Sequence, residues 1–246
     1  MSGHSKWSTI KRKKGAADAK RSKMFSRVVK EIMIAAREGT DPEMNAKLRM
    51  AIANAKGVNM PKDNIQRAIS KAESDGSNFE EISFEGYGPG GVAVFVDCLT
   101  DNNNRTVSVV RSIFTKRGGS LGTNGSLSFL FDRKGVFTIP IADHDPEELE
   151  LELIDAGIEE FDTEDDVFII TCALEDFGNL QKKLEELNID PESAELQRIP
   201  TNTKKLDVDT AKSLLNLVEA FEDDDDIQDV YHNLEMTSEL ENALSE

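Results

Sequence analysis

A chain of 246 residues is long for one core and suits two or three, since a typical domain runs to roughly 100–150 residues. Apolar residues make up 38% and charged residues 31%, enough for packed domains with a wet surface, and no stretch approaches the roughly 18 uninterrupted apolar residues of a spanning helix. The basic N-terminus has no apolar segment for secretion. Its packed Lys11-Arg12-Lys13-Lys14 block, without apolar recurrence on one face of residues 1–23, argues against a transit peptide; a cytoplasmic protein with no membrane contact is expected.

The net charge of −18 argues against nucleic acid until its distribution is read. Residues 1–30 hold Lys6, Lys11, Arg12, Lys13, Lys14, Lys20, Arg21, Lys23, Arg27 and Lys30 against Asp18 alone, a net of +9. Residues 31–75 balance to zero, and residues 76–246 carry −27. The chain is a strong dipole, and that asymmetry says more than the total.

Residues 1–23 show no clean period and read as an arm. From Phe25 the spacing predicts a helix, with Phe25, Val28, Val29, Ile32, Met33 and Ala36 on one face and Gly39 as its stop. Asp41-Pro42 reads as N-cap and first-turn proline of a second helix, facing inward through Met44, Leu48, Ala51, Ile52 and Ala55 and ended by Gly57. Pro61 opens a third, with Ile65, Ala68, Ile69 and Ala72 inward. Beyond residue 76 the composition turns to strands. Val92–Leu99 reads as a strand, 104–117 as a helix stopped by Gly118-Gly119, and Leu127–Phe131 as another strand. Then follow strand Val136–Ile141, helix Pro146–Ala156, strands near Ile158–Phe161 and Val167–Ala173, helix Leu174–Leu187 and a strand near Ala194–Ile199. That β-α-β-β-α-β order is the split βαβ arrangement of ferredoxin-like domains. A helix at Val208–Phe221 and a strand at Ile227–Leu234 close the pattern. The expected class is α+β: an N-terminal three-helix domain, then two α/β (ferredoxin-like) domains, the third inserted in the second. The expected limits are 1–23 for the arm, 24–76 for the helical domain, 77–132 with 204–246 for the discontinuous domain and 133–203 for the insert. Cys98 and Cys172 each fall in an apolar strand-like run and read as buried free thiols.

The arm carries the case for function. Cations that neutralise phosphates release condensed counterions, giving affinity without base reading, and Trp7 offers a face for an unpaired base. An acidic protein surface, or docking on the chain's own acidic body, is the competing partner for these cations. The second and third helices have the outline of a helix-turn-helix. Lys62, Asn64, Gln66 and Arg67 then sit where base contacts originate, or else the bundle only presents outer charges to a backbone. The candidate nucleic-acid-binding residues are therefore Lys6, Trp7, Lys11, Arg12, Lys13, Lys14, Lys20, Arg21, Lys23, Arg27, Lys62 and Arg67.

Gly86-Tyr87-Gly88-Pro89-Gly90-Gly91 has the letters of a dinucleotide fingerprint, but its glycines precede a strand instead of opening a helix, and Pro89 lacks an amide for phosphate. It reads as a shaped turn between domains. His4, His144 and His232 are scattered without metal spacing, no nucleophile motif is present, and Glu222-Asp223-Asp224-Asp225-Asp226 lacks the pattern of a calcium loop. No catalytic residue, metal, cofactor or small-molecule substrate is expected. The −27 body should repel nucleic acid away from the arm and so orient the encounter.

Several motifs in order carry a family resemblance: Gly3-His4-Ser5-Lys6-Trp7; Asp41-Pro42 with Asn45, Leu48-Arg49 and Ala51-Ile52; Asn59-Met60-Pro61-Lys62-Asp63-Asn64-Ile65; and Glu85-Gly86-Tyr87-Gly88-Pro89-Gly90-Gly91. Over essentially its full length the chain resembles the YebC/PmpR family. The resemblance implies three domains with the third inserted in the second, a bacterial or organellar setting and no known enzymatic activity. It implies DNA-binding regulation of transcription or, as the alternative, a ribosome-associated factor that relieves stalling at proline-rich stretches. The partner is thus DNA or RNA, and nothing in the chain sets an oligomeric state. Thr40, and Glu73-Ser74, depart from glycines usual in the family; each lies at a helix end, where capping is what changes.

Overall fold

The computed structural model describes residues 18–74, 79–141, 144–164 and 166–245. Three helices come first: α1 (Asp18–Arg37), α2 (Ala46–Gly57) and α3 (Lys62–Ser74). Strands β1 (Glu80–Tyr87) and β2 (Ala93–Thr100) follow, then α4 (Asn103–Lys116) and the short β3 (Ser120–Leu121). Next come β4 (Phe131–Pro140), α5 (Pro146–Leu153), β5 (Ile158–Glu164), β6 (Val167–Ala173), α6 (Phe177–Glu186) and β7 (Ser193–Pro200). The chain closes with α7 (Val208–Glu222), β8 (Ile227–His232) and α8 (Ser238–Ser245).

Two four-stranded sheets result, ordered β3-β1-β2-β8 and β5-β6-β4-β7. The second is the ferredoxin-like order, in which the first and third strands of the unit lie side by side at the centre. The α+β class, with helices first and two α/β sheets after, is borne out. Residues 76–132 and 198–246 form one compact unit; residues 22–75 and 133–197 form another.

In the first unit, β1 and β2 make an antiparallel hairpin from Glu80↔Thr100 to Tyr87↔Ala93, and β2 pairs on its other edge with β8. One face buries Phe84, Val94, Val96 and Val230 under α4 and α7. Phe114 and Phe221 meet there edge to face at 4.8 Å. The opposite face carries Ala93, Phe95 and Tyr231, packed on Leu127 and Phe131. The glycine-rich segment is therefore the connection inside this hairpin, not a turn between domains. Its Pro89–Gly91 is a single 3-10 turn with Gly90 at φ 70°. That left-handed backbone suits glycine, and a side chain there would meet Leu206 at 2.6 Å.

Residues Leu127–Phe131 do not form the expected strand. The buried Glu85 carboxylate accepts the amides of Gly125 and Leu127, so Leu127 has no amide to offer a ladder. A 3-10 turn over Ser128–Leu130 follows, and β4 begins at Phe131.

In the second unit, β4, β6, α5 and α6 enclose Phe137, Ile139, Leu149, Leu153, Phe168, Ile170, Leu180 and Leu184. The helical region belongs to the same unit as this sheet, and Gly57 makes one of the close approaches between them. Gly57 does not end α2 through its own backbone freedom. A Cβ on it would lie 1.5 Å from the Glu192 carbonyl oxygen, so glycine is required by approach. Beside it, the Asn54 side-chain oxygen accepts the Ala194 amide at 2.9 Å.

Candidate nucleic-acid interface

The helices that carry the candidate cations pack through small side chains: Ala35 and Ala36 from α1, Ala51 and Ala55 from α2, Ala68 and Ala72 from α3, around Ile32, Leu48, Ile65 and Ile69. The second helix starts later than Asp41-Pro42 suggests. Its N-cap is Asn45, in extended backbone, whose side-chain oxygen accepts the Leu48 amide at 3.1 Å. The Asn45 amide nitrogen donates to the carbonyls of Ala35 and Gly39, both at 2.7 Å. One buried side chain thus closes the C-terminus of α1 and the N-terminus of α2, satisfying groups that helix ends leave orphaned. Asp41 instead turns back on the Glu43 amide at 3.0 Å. Arg49 donates to the carbonyls of Pro42 at 2.7 Å and Glu43 at 2.9 Å, so this cation shapes the α1–α2 connection.

The α2–α3 connection is a Schellman turn. The Met60 amide reaches the Ala55 carbonyl and the Asn59 amide the Lys56 carbonyl, each at 2.8 Å. Asn59 sits at φ 57°, a region asparagine tolerates. Met60 is buried in the helical core, and α3 leaves with its axis fixed. On α3, Ile65, Ala68, Ile69 and Ala72 face inward as the spacing predicts, while Lys62, Gln66 and Arg67 are exposed and Asn64 is half-buried. The Arg67 side chain folds along its own helix, its Nε donating to the Asp63 carbonyl at 3.2 Å.

The remaining candidates divide in two. Lys20, Arg21, Lys23 and Arg27 belong to α1, which begins at Asp18, within the stretch read as an arm. Helical positions 20, 23, 27 and 30 recur every three to four residues, so the backbone sets them along one stripe; Lys23, Arg27 and Lys30 are half-buried. Lys6, Trp7, Lys11, Arg12, Lys13 and Lys14 lie outside the described residues.

Elsewhere the charges are organised differently. Several cations of the acidic body are matched to carboxylates: Arg105 to Asp226 at 2.7 Å, Arg198 to Asp97 at 3.1 Å and Lys134 to Glu159 at 2.6 Å. Asp226, at the end of the acidic run, is 8% exposed and also accepts from Thr100 and Thr106. Burial pushes its pKa up, but the Arg105 and Thr106 hydrogen bonds outweigh that and hold it below the usual carboxylate range. The last residue of the run is therefore a structural anchor.

Cys98 and Cys172 are free and buried. Burial first, then Asp97, raises the Cys98 thiol; burial and then Asp176 push Cys172 up to about 11. Neither is a thiolate nucleophile near neutral pH. Among the described residues no group of three or more His, Cys, Asp or Glu is placed to hold a metal ion, and no helix is long and apolar enough to cross a membrane. A groove of about 300 Å³ between α2 and α6 mixes Arg49 and Lys56 with Glu185 and Asp190 over Ile52 and Leu184. Its balanced charge does not favour a polyanion.

Helices packed through alanine, followed by two four-stranded sheets with helices, define a class of multidomain α+β proteins. Comparison with known proteins places the chain within it. Residues 5–75 match the profile described as the TACO1/YebC protein N-terminal domain, and residues 79–234 that of the TACO1/YebC second and third domain. The chain belongs to the TACO1/YebC family. A protein of Amoebophilus asiaticus named "Probable transcriptional regulatory protein" is 52% identical, covering 97% of this chain and 100% of its own. A protein of the same name from Rubrobacter xylanophilus is 49% identical, over 98% of each chain. Among solved structures, a conserved hypothetical protein of Aquifex aeolicus matches with a TM-score of 0.82 and 43% identity, covering 90% of this chain and 93% of that one. The family resemblance read from the motifs is thus borne out.

Proposed function

We propose that this protein is a DNA-binding regulator of transcription in the cytoplasm, acting by binding and not by catalysis. The observation that carries the reading is the separation of charge: +9 over residues 1–30 against −27 beyond residue 75, with Lys62 and Arg67 exposed on α3. The arm cations Lys6 and Lys11–Lys14, with Lys20, Arg21, Lys23 and Arg27 on α1, supply phosphate contacts, and Trp7 a stacking face. The printed name of the two bacterial relatives supports a regulatory role. The Schellman turn gives α3 a fixed presentation, which a helix entering a groove needs. The working units are residues 24–76 for contact with DNA, and 77–132 with 204–246 and 133–203 for the acidic body that orients it.

The test is a gel shift on duplex DNA across a salt series, run beside co-sedimentation with ribosomes. Replacing Lys11, Arg12, Lys13 and Lys14 with alanine should flatten the salt dependence by roughly one unit of slope per lost phosphate contact. An unchanged slope refutes this placement of the interface. Ribosome binding with only non-specific duplex affinity overturns the transcriptional reading.

A further inference from the structure

At one end of the discontinuous domain two basic pairs, distant in sequence, border the same turn. The Pro89–Gly91 turn between β1 and β2 lies between two distant pieces of chain. On one side Gly118, just past α4, comes within 3.9 Å of the Pro89 ring, measured from where its Cβ would stand. On the other, Lys204 Nζ donates to the Gly91 carbonyl at 3.2 Å. Lys116 and Arg117 therefore flank the turn from one side and Lys204 and Lys205 from the other, all four exposed. Two acids lie near the second pair: Glu235, whose amide donates to the Lys204 carbonyl at 2.9 Å, and Asp207, which is engaged as the N-cap of α7 and accepts the Thr210 amide at 2.9 Å. By contrast Arg105, Lys134 and Arg198 are each held by a carboxylate.

Two exposed aromatics belong to segments that border this region. Tyr87 is 42% exposed and directly precedes the turn, paired in register with Ala93; Phe129 is 73% exposed. Phe129 lies between Leu127 and Leu130, which both pack on the Ala93 cluster, and the Leu130 carbonyl accepts the Thr201 amide at 2.9 Å. Its neighbourhood thus runs into the segment that carries Lys204 and Lys205. Cations that track phosphates beside exposed rings are the elements that bind a single strand, whose unpaired bases can stack; a duplex hides those faces.

We propose that this end of the discontinuous domain is a second nucleic-acid site, taking single-stranded nucleic acid through Lys116, Arg117, Lys204 and Lys205 with Tyr87 and Phe129 as stacking platforms. It rests on the nucleic-acid reading above and adds to it an unpaired strand. The probe is a fluorescently labelled oligo(dT), followed by anisotropy with the full chain between roughly 50 and 200 mM salt. Changing the four cations together to glutamine should lower the salt slope by about 3, at roughly 0.7 per phosphate on a single strand. Tyr87→Ala and Phe129→Ala should each weaken binding roughly five- to hundredfold with the slope unchanged. A 4-thiothymidine oligonucleotide should crosslink to peptides containing Tyr87 or Phe129, a readout independent of any variant's folding. If the four-cation variant keeps wild-type affinity and slope while the arm variant loses both, this site falls and the proposed function stands. If the unaltered protein binds neither oligo(dT) nor duplex, both fall.

Discussion

Ala35, Ala36, Ala51, Ala55, Ala68 and Ala72 line the core of the helical region, where the discontinuous sheet buries Phe84, Phe114 and Phe221. Alanine lets helices approach closely but removes little apolar area from water per residue, at about 25 cal/mol per Å². The helical region therefore leans on buried amides, Asn45 at the α1–α2 corner and Asn54 against Ala194. The sheet leans on ring area and tolerates carboxylates only when they are fully engaged, as Glu85 and Asp226 are. The region that presents Lys62 and Arg67 is thus held by a few specific hydrogen bonds. The discontinuous sheet is held by bulk.

The largest effect should come from the bulk. Phe114→Ala removes a fully buried ring that touches Phe221 and should cost about 3–5 kcal/mol in urea denaturation. Asn45→Ala leaves the Leu48 amide and the Ala35 and Gly39 carbonyls without this partner. A loss of about 2–3 kcal/mol is expected. Were the alanine variant within about 0.5 kcal/mol of the parent, a typical surface effect, packing alone would hold the corner and the contrast would fail. The smallest effect should appear only in acid. The carboxyl of Asp226 is held below its ordinary range in the folded protein, so its contribution is present above the unfolded value of about 3.9 and fades as pH falls through the folded one. Asp226→Asn should flatten the low-pH limb of a stability profile. A limb unchanged in steepness would show that the carboxylate's charge plays no part.

The amphipathic helices were legible because their apolar positions recur with the helical period over ten or more residues. The ferredoxin-like order was legible because each strand of the insert is a short apolar run between turn residues. Strand β1 was not: Glu80, Glu81 and Glu85 make it look like a linker, and only the fold shows Glu85 turned inward on the Gly125 and Leu127 amides. The short α8 escaped too, since its inward residue Leu240 stands among glutamates. At the second helix, Asp41-Pro42 is a stronger local signal than Asn45, yet Asn45 wins because it reaches carbonyls ten and six residues back. Several motif letters that signal the family, Asn45, Arg49, Asn59 and Glu85 among them, hold the backbone. The placement of Lys116, Arg117, Lys204 and Lys205 could not be read from sequence, because two basic pairs far apart in the chain border the same turn only in the fold.

The chain leaves the discontinuous domain just after Phe131 and returns at Arg198, and both residues rest on the same ring. Phe131 meets Phe95 edge to face at 6.0 Å, and the Arg198 guanidinium lies 3.8 Å over it. Strand β8, which must add to β2, is made only after that long excursion. For a growing chain this sets an order of events: the insert is made before β8 can add to β2. Once folded, the insert stands in for a short loop, because its two ends are already side by side on Phe95. Most of the closure entropy for joining β8 to β2 is then met by the insert's own folding, so a pairing between residues far apart in sequence becomes nearly local.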